Sequence, residues 1–164
     1  MTIGELNSFP QDGFVEQLGP VFEHSPWVAE RAWTVRPFSG MDQLHGAMVV
    51  QVKNATPAEQ LALLRAHPDL GTRARMSIAS ASEQARAGLG SLRPDELKRL
   101  EAANELYRSR FEFPFIYAVK GASKEDILRA LETRLHSSRD DEFQQALQQV
   151  YRIARFRLED ILTA

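Results

Sequence analysis

The stretch Met48-Val49-Val50-Gln51-Val52 decides the fold class, because it is the one strand-like run in the chain. Its valines suit a pleated strand. It also continues a helix-compatible segment that begins at Met41, and alternating β-branched runs are almost absent elsewhere. Read as helix, it leaves an all-α protein.

Working outward, helix-start chemistry recurs along the chain. Ser8 with Gln11, Thr56 with Glu59, Ser80 with Glu83 and Ser123 with Asp126 have the spacing of capping boxes or their close relatives. Ser25-Pro26 and Thr56-Pro57 place a proline directly after a cap, where it suits the first helical position. The pattern predicts helices near 9–22, 26–33, 41–54, 57–66, 80–88, 94–110, 123–135 and 139–162. The connections are short and no repeat or low-complexity linker separates them. One compact bundle of about eight helices, a single domain over 1–164, is expected.

Composition narrows the function. The chain has 164 residues, 43% hydrophobic and 26% charged, as in ordinary soluble globules. A net charge of −2 gives no general attraction to nucleic acid or to an anionic membrane. Basic residues such as Arg73, Arg75, Arg86 and Arg93 are dispersed among acids and small residues and read as solvated surface. Without cysteine there is no disulfide, thiolate metal site or cysteine nucleophile. The four histidines show no metal-ligand spacing. Phosphate-loop, nucleophile-elbow and dinucleotide motifs do not occur. No signal, transit or membrane-spanning pattern is visible, so the expectation is a cytoplasmic protein.

Candidate chemistry centres on His67-Pro68-Asp69-Leu70-Gly71. A proline disfavours helix at the residue before it, so His67 falls at or just past the last turn of a helix. There the helix dipole favours an imidazolium, and Gly71 permits the change of direction that follows. Taken alone, this is a helix stop with a capping histidine. Ser80, Glu83 and Gln84 share one helix face, whether as a plain cap or as a cap that also meets a ligand. Two further polar residues interrupt apolar stripes. Asn104 lies on the seam Leu97, Leu100, Tyr107, Phe111, and Arg157 on the stripe Phe143, Leu147, Val150, Ala154, Ile161. An inward guanidinium needs acceptors, so Arg157 either meets an internal carboxylate or is kept for an anionic ligand. The apolar segment 111–121 must be buried, where its peptide groups plug the core or line a pocket.

These residues carry a resemblance. Phe14-Val15-Glu16-Gln17-Leu18-Gly19 leads into Phe22-Glu23-His24-Ser25-Pro26-Trp27-Val28-Ala29. His67-Pro68-Asp69-Leu70-Gly71 is followed by Ser80-Ala81-Ser82-Glu83-Gln84 with Ala87-Gly88-Leu89. Then come Asn104, Tyr107 and Arg110-Phe111-Glu112-Phe113-Pro114-Phe115-Ile116, running on through Ala118-Val119-Lys120-Gly121, and finally Ile153-Ala154-Arg155-Phe156-Arg157-Leu158. In this order and spacing the chain resembles the 2-oxo-4-hydroxy-4-carboxy-5-ureidoimidazoline (OHCU) decarboxylases of urate degradation, which release (S)-allantoin. The resemblance implies an all-helical carboxy-lyase that needs no cofactor or metal, acts on a small ureidoimidazoline and is usually a homodimer. It implies catalytic roles for His67, Glu83 and Arg157. Pro68, Ser80, Glu83 and Gln84 would contact substrate, and the backbone of Phe115, Ile116, Tyr117, Ala118 and Val119 would hold the imidazoline ring. Arg157 would anchor substrate oxygens or fix Glu83. The chain departs from the family at Glu112, where glycine is usual; glycine tolerates backbone angles that other residues avoid. Two other readings use the same residues: a helical ligand-binding module without catalysis, and a structural domain in which Arg157 and Glu83 form an internal ion pair.

Overall fold

The computed structural model describes residues 1–71 and 78–163. Among the described residues there is no strand, and the elements are helical throughout. In chain order they are α1 (Ile3–Ser8), α2 (Gln11–Leu18), α3 (Trp27–Trp33), α4 (Met41–Lys53), α5 (Pro57–Arg65), α6 (Ile78–Arg86), α7 (Pro94–Phe111), α8 (Lys124–Arg134) and α9 (Arg139–Ile161). Short 3₁₀ turns occupy Gly19–Val21 and Leu89–Ser91. None of these helices is long and apolar enough to cross a membrane. Arg73 and Arg75 lie outside the described residues.

The deciding valine run belongs to α4. Leu44, Met48 and Val52, four residues apart, are buried on one stripe, while Val50 is exposed. Thr56 with Glu59 and Ser123 with Asp126 form complete capping boxes, as expected. The Ser8 cap is corrected. Ser8 is the last residue of α1, its hydroxyl donating to the Glu5 carbonyl at 2.7 Å, and the capping box in this region is Thr2 with Glu5. The single helix expected over 9–22 is therefore α2 followed by a 3₁₀ turn, and α1 lies ahead of that span. Pro10 forces Phe9 into an extended conformation (φ −71°, ψ 142°), which separates α1 from α2. Ser80 is also corrected, since α6 is already helical at Ile78 and Ser80 lies inside it rather than at its cap.

The chain divides into two compact units, Met1–Ala66 with Tyr151–Ala164, and His67–Val150. In the first, α2 packs on α3 and α3 on α4. Phe14, Leu18, Phe22, Val28, Leu44 and Met48 are buried there. The Asn7 amide clasps the Phe38 backbone, donating to its carbonyl at 2.9 Å and accepting its N–H at 2.8 Å.

In the second unit, α7 packs on α8 around an aromatic cluster. The Tyr107 ring meets Phe111, Phe115 and Phe113 at 4.6, 5.4 and 5.9 Å. Phe143 reaches Phe113 edge-on at 5.9 Å. α7 ends at Glu112, which takes the left-handed conformation (φ 67°, ψ 19°) and donates its N–H to the Arg108 carbonyl at 2.8 Å. This is the position at which the resemblance implies glycine. Here the left-handed cap is accepted by a residue with a Cβ, and its carboxylate pairs with Arg139 at 2.5 Å.

Candidate active site

The His67–Gly71 loop is fastened at successive atoms. α5 ends at Arg65 with Ala66 as its C-cap, so His67 follows the helix directly, as the Pro68 argument predicts. The His67 ring is buried, 8% exposed. The Asn104 amide donates to the Leu70 carbonyl at 2.9 Å, which explains the polar residue on the α7 seam. Gly71 donates its N–H to Gln84 Oε1 at 2.9 Å. Asp69 pairs with Arg108 at 3.0 Å. Burial pushes the Asp69 carboxyl above the ordinary aspartate value, and the guanidinium opposes that shift. Gly71 has φ +75°, and a Cβ there would stand 2.4 Å from Cδ2 of buried Leu100. Glycine is required on both counts.

On α6, Ser80 and Gln84 are buried and Glu83 is half-buried, so the face that the spacing defined is an interior one. Gln84 has a structural duty that its spacing did not reveal, because it holds the turn after His67. A cavity of about 630 Å³ opens on the Asp69, Gly71, Gln84 and Asn104 side of this loop. His67, Ser80 and Glu83 are absent from its described lining, so it does not define the chemistry.

The segment after α7 is buried, as expected, and is not simply a plug. Phe115, Ile116, Ala118 and Val119 are buried and Tyr117 is half-buried. The Phe115 and Tyr117 rings stack at 6.0 Å and 15°, which places alternate side chains on one side, as in an extended chain. Three of its backbone groups already have protein partners, one of them the Val119 carbonyl, which accepts the Ala122 N–H at 3.0 Å. Arg134 Nη1 donates to the Ile116 carbonyl at 2.6 Å, and the Ala118 N–H donates to Gln149 Oε1 at 2.9 Å. In an extended chain these two groups share an edge. The same geometry puts the N–H and C=O of Tyr117, the residue between them, on the opposite edge, and neither makes a backbone hydrogen bond among the described residues.

The bonded edge rests on a buried ion pair. Glu142, 1% exposed, accepts from the Tyr107 hydroxyl and from Arg134 Nε, both at 2.5 Å. The guanidinium lies 4.5 Å over the Phe115 ring. Burial first, and donation to Glu142 second, hold the Tyr107 phenol proton well above the usual tyrosine range.

Arg157 belongs to the first unit and is 5% exposed, so its inward placement is correct. The carboxylate it meets is Glu23, at 2.9 Å, and it also donates to the Pro20 carbonyl at 3.1 Å. Glu23 stands in the sequence only within a motif, and nothing there points to Arg134, Glu142 or Gln149. The signal that exposes Asn104 and Arg157, a polar residue inside an apolar stripe, does not reach this face of α9, where the row Glu142, Ala146 and Gln149, four and three apart, holds one apolar residue. Arg134 carried no such signal. In the last turn of α8 it reads as a cation facing the helix dipole.

Among the described residues the second unit is helical apart from its connections, with a buried histidine followed by a loop that side chains of α6 and α7 hold. The chain belongs to the OHCU decarboxylase family, whose model matches residues 7–159. It is 50% identical to the uric acid degradation bifunctional protein PucL of Bacillus subtilis over 99% of its own length, and it spans only 33% of that protein. It is 47% identical to the 2-oxo-4-hydroxy-4-carboxy-5-ureidoimidazoline decarboxylase of Halalkalicoccus jeotgali, covering 98% of this chain and 92% of that one. The crystal structure of an (S)-allantoin synthase matches 99% of the chain with a TM-score of 0.80 at 33% identity, the chain covering 54% of that one.

Proposed function

We propose that this chain is an OHCU decarboxylase, a carboxy-lyase of urate degradation that converts 2-oxo-4-hydroxy-4-carboxy-5-ureidoimidazoline to (S)-allantoin. The observation that carries the reading is the buried His67 ring in a loop whose next residues are held by Asn104, Gln84 and Arg108. An acid–base group works only if its aim is fixed.

The substrate supplies its own electron sink. The carbon–carboxylate bond breaks, its electron pair enters the bond between the two ring carbons, and the imine pair moves onto nitrogen, which takes up a proton. A proton then reaches the ureido-bearing carbon while the neighbouring hydroxyl gives up its own, leaving allantoin and carbon dioxide. The face that receives that proton sets the S configuration.

His67 is assigned as proton or hydrogen-bond donor at the hydroxyl-bearing centre, with Glu83 positioning His67 or that hydroxyl. Pro68, Ser80 and Gln84 contact the substrate, and Arg157 anchors its polar oxygens. The run Phe115 to Val119 holds the ring through its backbone. The open edge at Tyr117 supports this, since one residue's N–H and C=O match the adjacent C=O and N–H of a cyclic ureide. A homodimeric, cytoplasmic enzyme is part of the same proposal, and sedimentation velocity tests the dimer.

Circular dichroism of freshly made substrate is the decisive measurement. The protein should accelerate the appearance of the (S)-allantoin band over the spontaneous racemic background, and no acceleration overturns the reading. His67→Asn should keep its helical spectrum and lose about 10²–10⁴-fold in turnover, the usual share of an acid–base group. A loss below about tenfold removes His67 from that role.

A further inference from the structure

We infer that Arg134 and Gln149 are positioning residues for the decarboxylation, clamping the Ile116 carbonyl and the Ala118 N–H so that the peptide group of Tyr117 is presented to the substrate ring. This rests on the reading of Phe115 to Val119 as the ring-holding segment.

The segment needs such a clamp. Among the described residues it lies in no helix or strand, and its backbone hydrogen bond is at its far end, where the Val119 carbonyl accepts the Ala122 N–H at 3.0 Å. Its two groups engaged by side chains lie two residues apart on one edge, at 2.6 and 2.9 Å from side chains of α8 and α9. A ligand hydrogen-bonding to the other edge benefits only if the strand does not twist or slide. Both clamps are themselves immobilised. Gln149 is 5% exposed, and Arg134 is locked to Glu142, which Tyr107 holds in turn. Planar Arg134 meets a carboxylate through Nε and a carbonyl through Nη1 at the same time, a fork that an ammonium does not reproduce.

The clamps touch no reacting atom, so their loss acts on how well the ring is held, equally before and during the reaction. Such a loss appears in KM with kcat largely kept. Gln149→Leu removes the acceptor from Ala118 and should raise KM by about tenfold, the worth of one buried hydrogen bond, with kcat changed by less than about threefold. Gln149→Glu keeps the acceptor and should return KM to within about threefold of the native value. Arg134→Lys keeps the charge beside Glu142, gives up the fork, and should also raise KM. Calorimetric titration with (S)-allantoin gives a second readout, in which affinity falls for Gln149→Leu and recovers for Gln149→Glu.

A melting-temperature loss in Gln149→Leu with unchanged KM and unchanged allantoin affinity makes Gln149 a folding residue only and overturns the inference. A fall in kcat alone overturns it as well. If Arg134→Lys does not fold, the Gln149 pair decides. If the native chain produces no (S)-allantoin, the functional reading fails first, and that result is distinct from native activity insensitive to Gln149.

Discussion

Two buried glutamate–arginine pairs, one in each unit, use the same parts for opposite purposes. In the first, Glu23 holds Arg157 at 2.9 Å and the Pro20 carbonyl takes a second guanidinium proton. In the second, Glu142 holds Arg134 and the Ile116 carbonyl takes the other. Pro20 sits in a 3₁₀ turn, Gly19–Val21, which has bonding of its own, so there the carbonyl steadies the guanidinium. Ile116 sits in a run with no regular structure, so there the guanidinium steadies the carbonyl. An ion pair therefore does not reveal its role by its geometry. The role follows from which end of the chain of contacts is already fixed.

The largest effects come from breaking either pair on one side. Glu142→Ala and Glu23→Ala each take a carboxylate away from a buried guanidinium and should cost about 3–5 kcal/mol of stability. In a chain of this size that is roughly 10 °C in a thermal melt. Glu142→Ala should be the worse of the two, because it also strips the Tyr107 hydroxyl of its acceptor. Equal losses would mean that Tyr107 adds nothing to its pair.

Replacing both partners separates stability from function. Glu23→Leu with Arg157→Met, and Glu142→Gln with Arg134→Met, should each lie within about 2 kcal/mol of the native protein in urea unfolding, since a buried pair often exchanges for packed uncharged groups at little net cost, and an amide at 142 still accepts from the Tyr107 hydroxyl. The first double variant should lose turnover, as Arg157 is proposed to meet substrate. The second should stay active with a raised KM. If both lose kcat alike, the distinction between the two guanidiniums collapses.

What could be read from the chain follows the same line. The helices were legible because caps and periodic stripes are local. α4, α5, α7, α8 and α9 begin and end within a residue or so of their expected limits. The N-terminal region departs from expectation because Thr2 with Glu5, not Ser8 with Gln11, forms the capping box, so a separate helix precedes Pro10. Arg157 and Asn104 stood out because each interrupts an apolar seam, and both proved buried. Arg134 did not stand out. Its burial is created by elements that reach it from elsewhere in its unit, α7 through Tyr107 and α9 through Glu142. Nothing local in the sequence marks Glu112 as left-handed, a conformation that favours glycine.

A third pair sets the lower end of the scale. Glu96 accepts from Lys124 at 2.9 Å and from the Arg93 N–H at 2.9 Å, but Lys124 is 26% exposed where Arg157 is 5%. The Lys124 ammonium first, and the Arg93 N–H second, hold the Glu96 carboxyl down at about 2 from its ordinary 4.5. A carboxyl depressed on folding contributes stability above its unfolded pKa and loses it as pH falls through the folded one. The contribution should therefore be complete above pH 4.5 and fade between 4.5 and about 2. Glu96→Gln should lower the melting temperature at neutral pH by less than either buried-pair truncation, because a cation open to water is screened. Calorimetric scans from pH 7 downward should show the gap to the native protein closing across that acid window, as the native glutamate becomes neutral like the glutamine. A gap of constant width would assign the loss to the α7 cap alone, and exposure of the cation would no longer explain why this pair ranks below the other two.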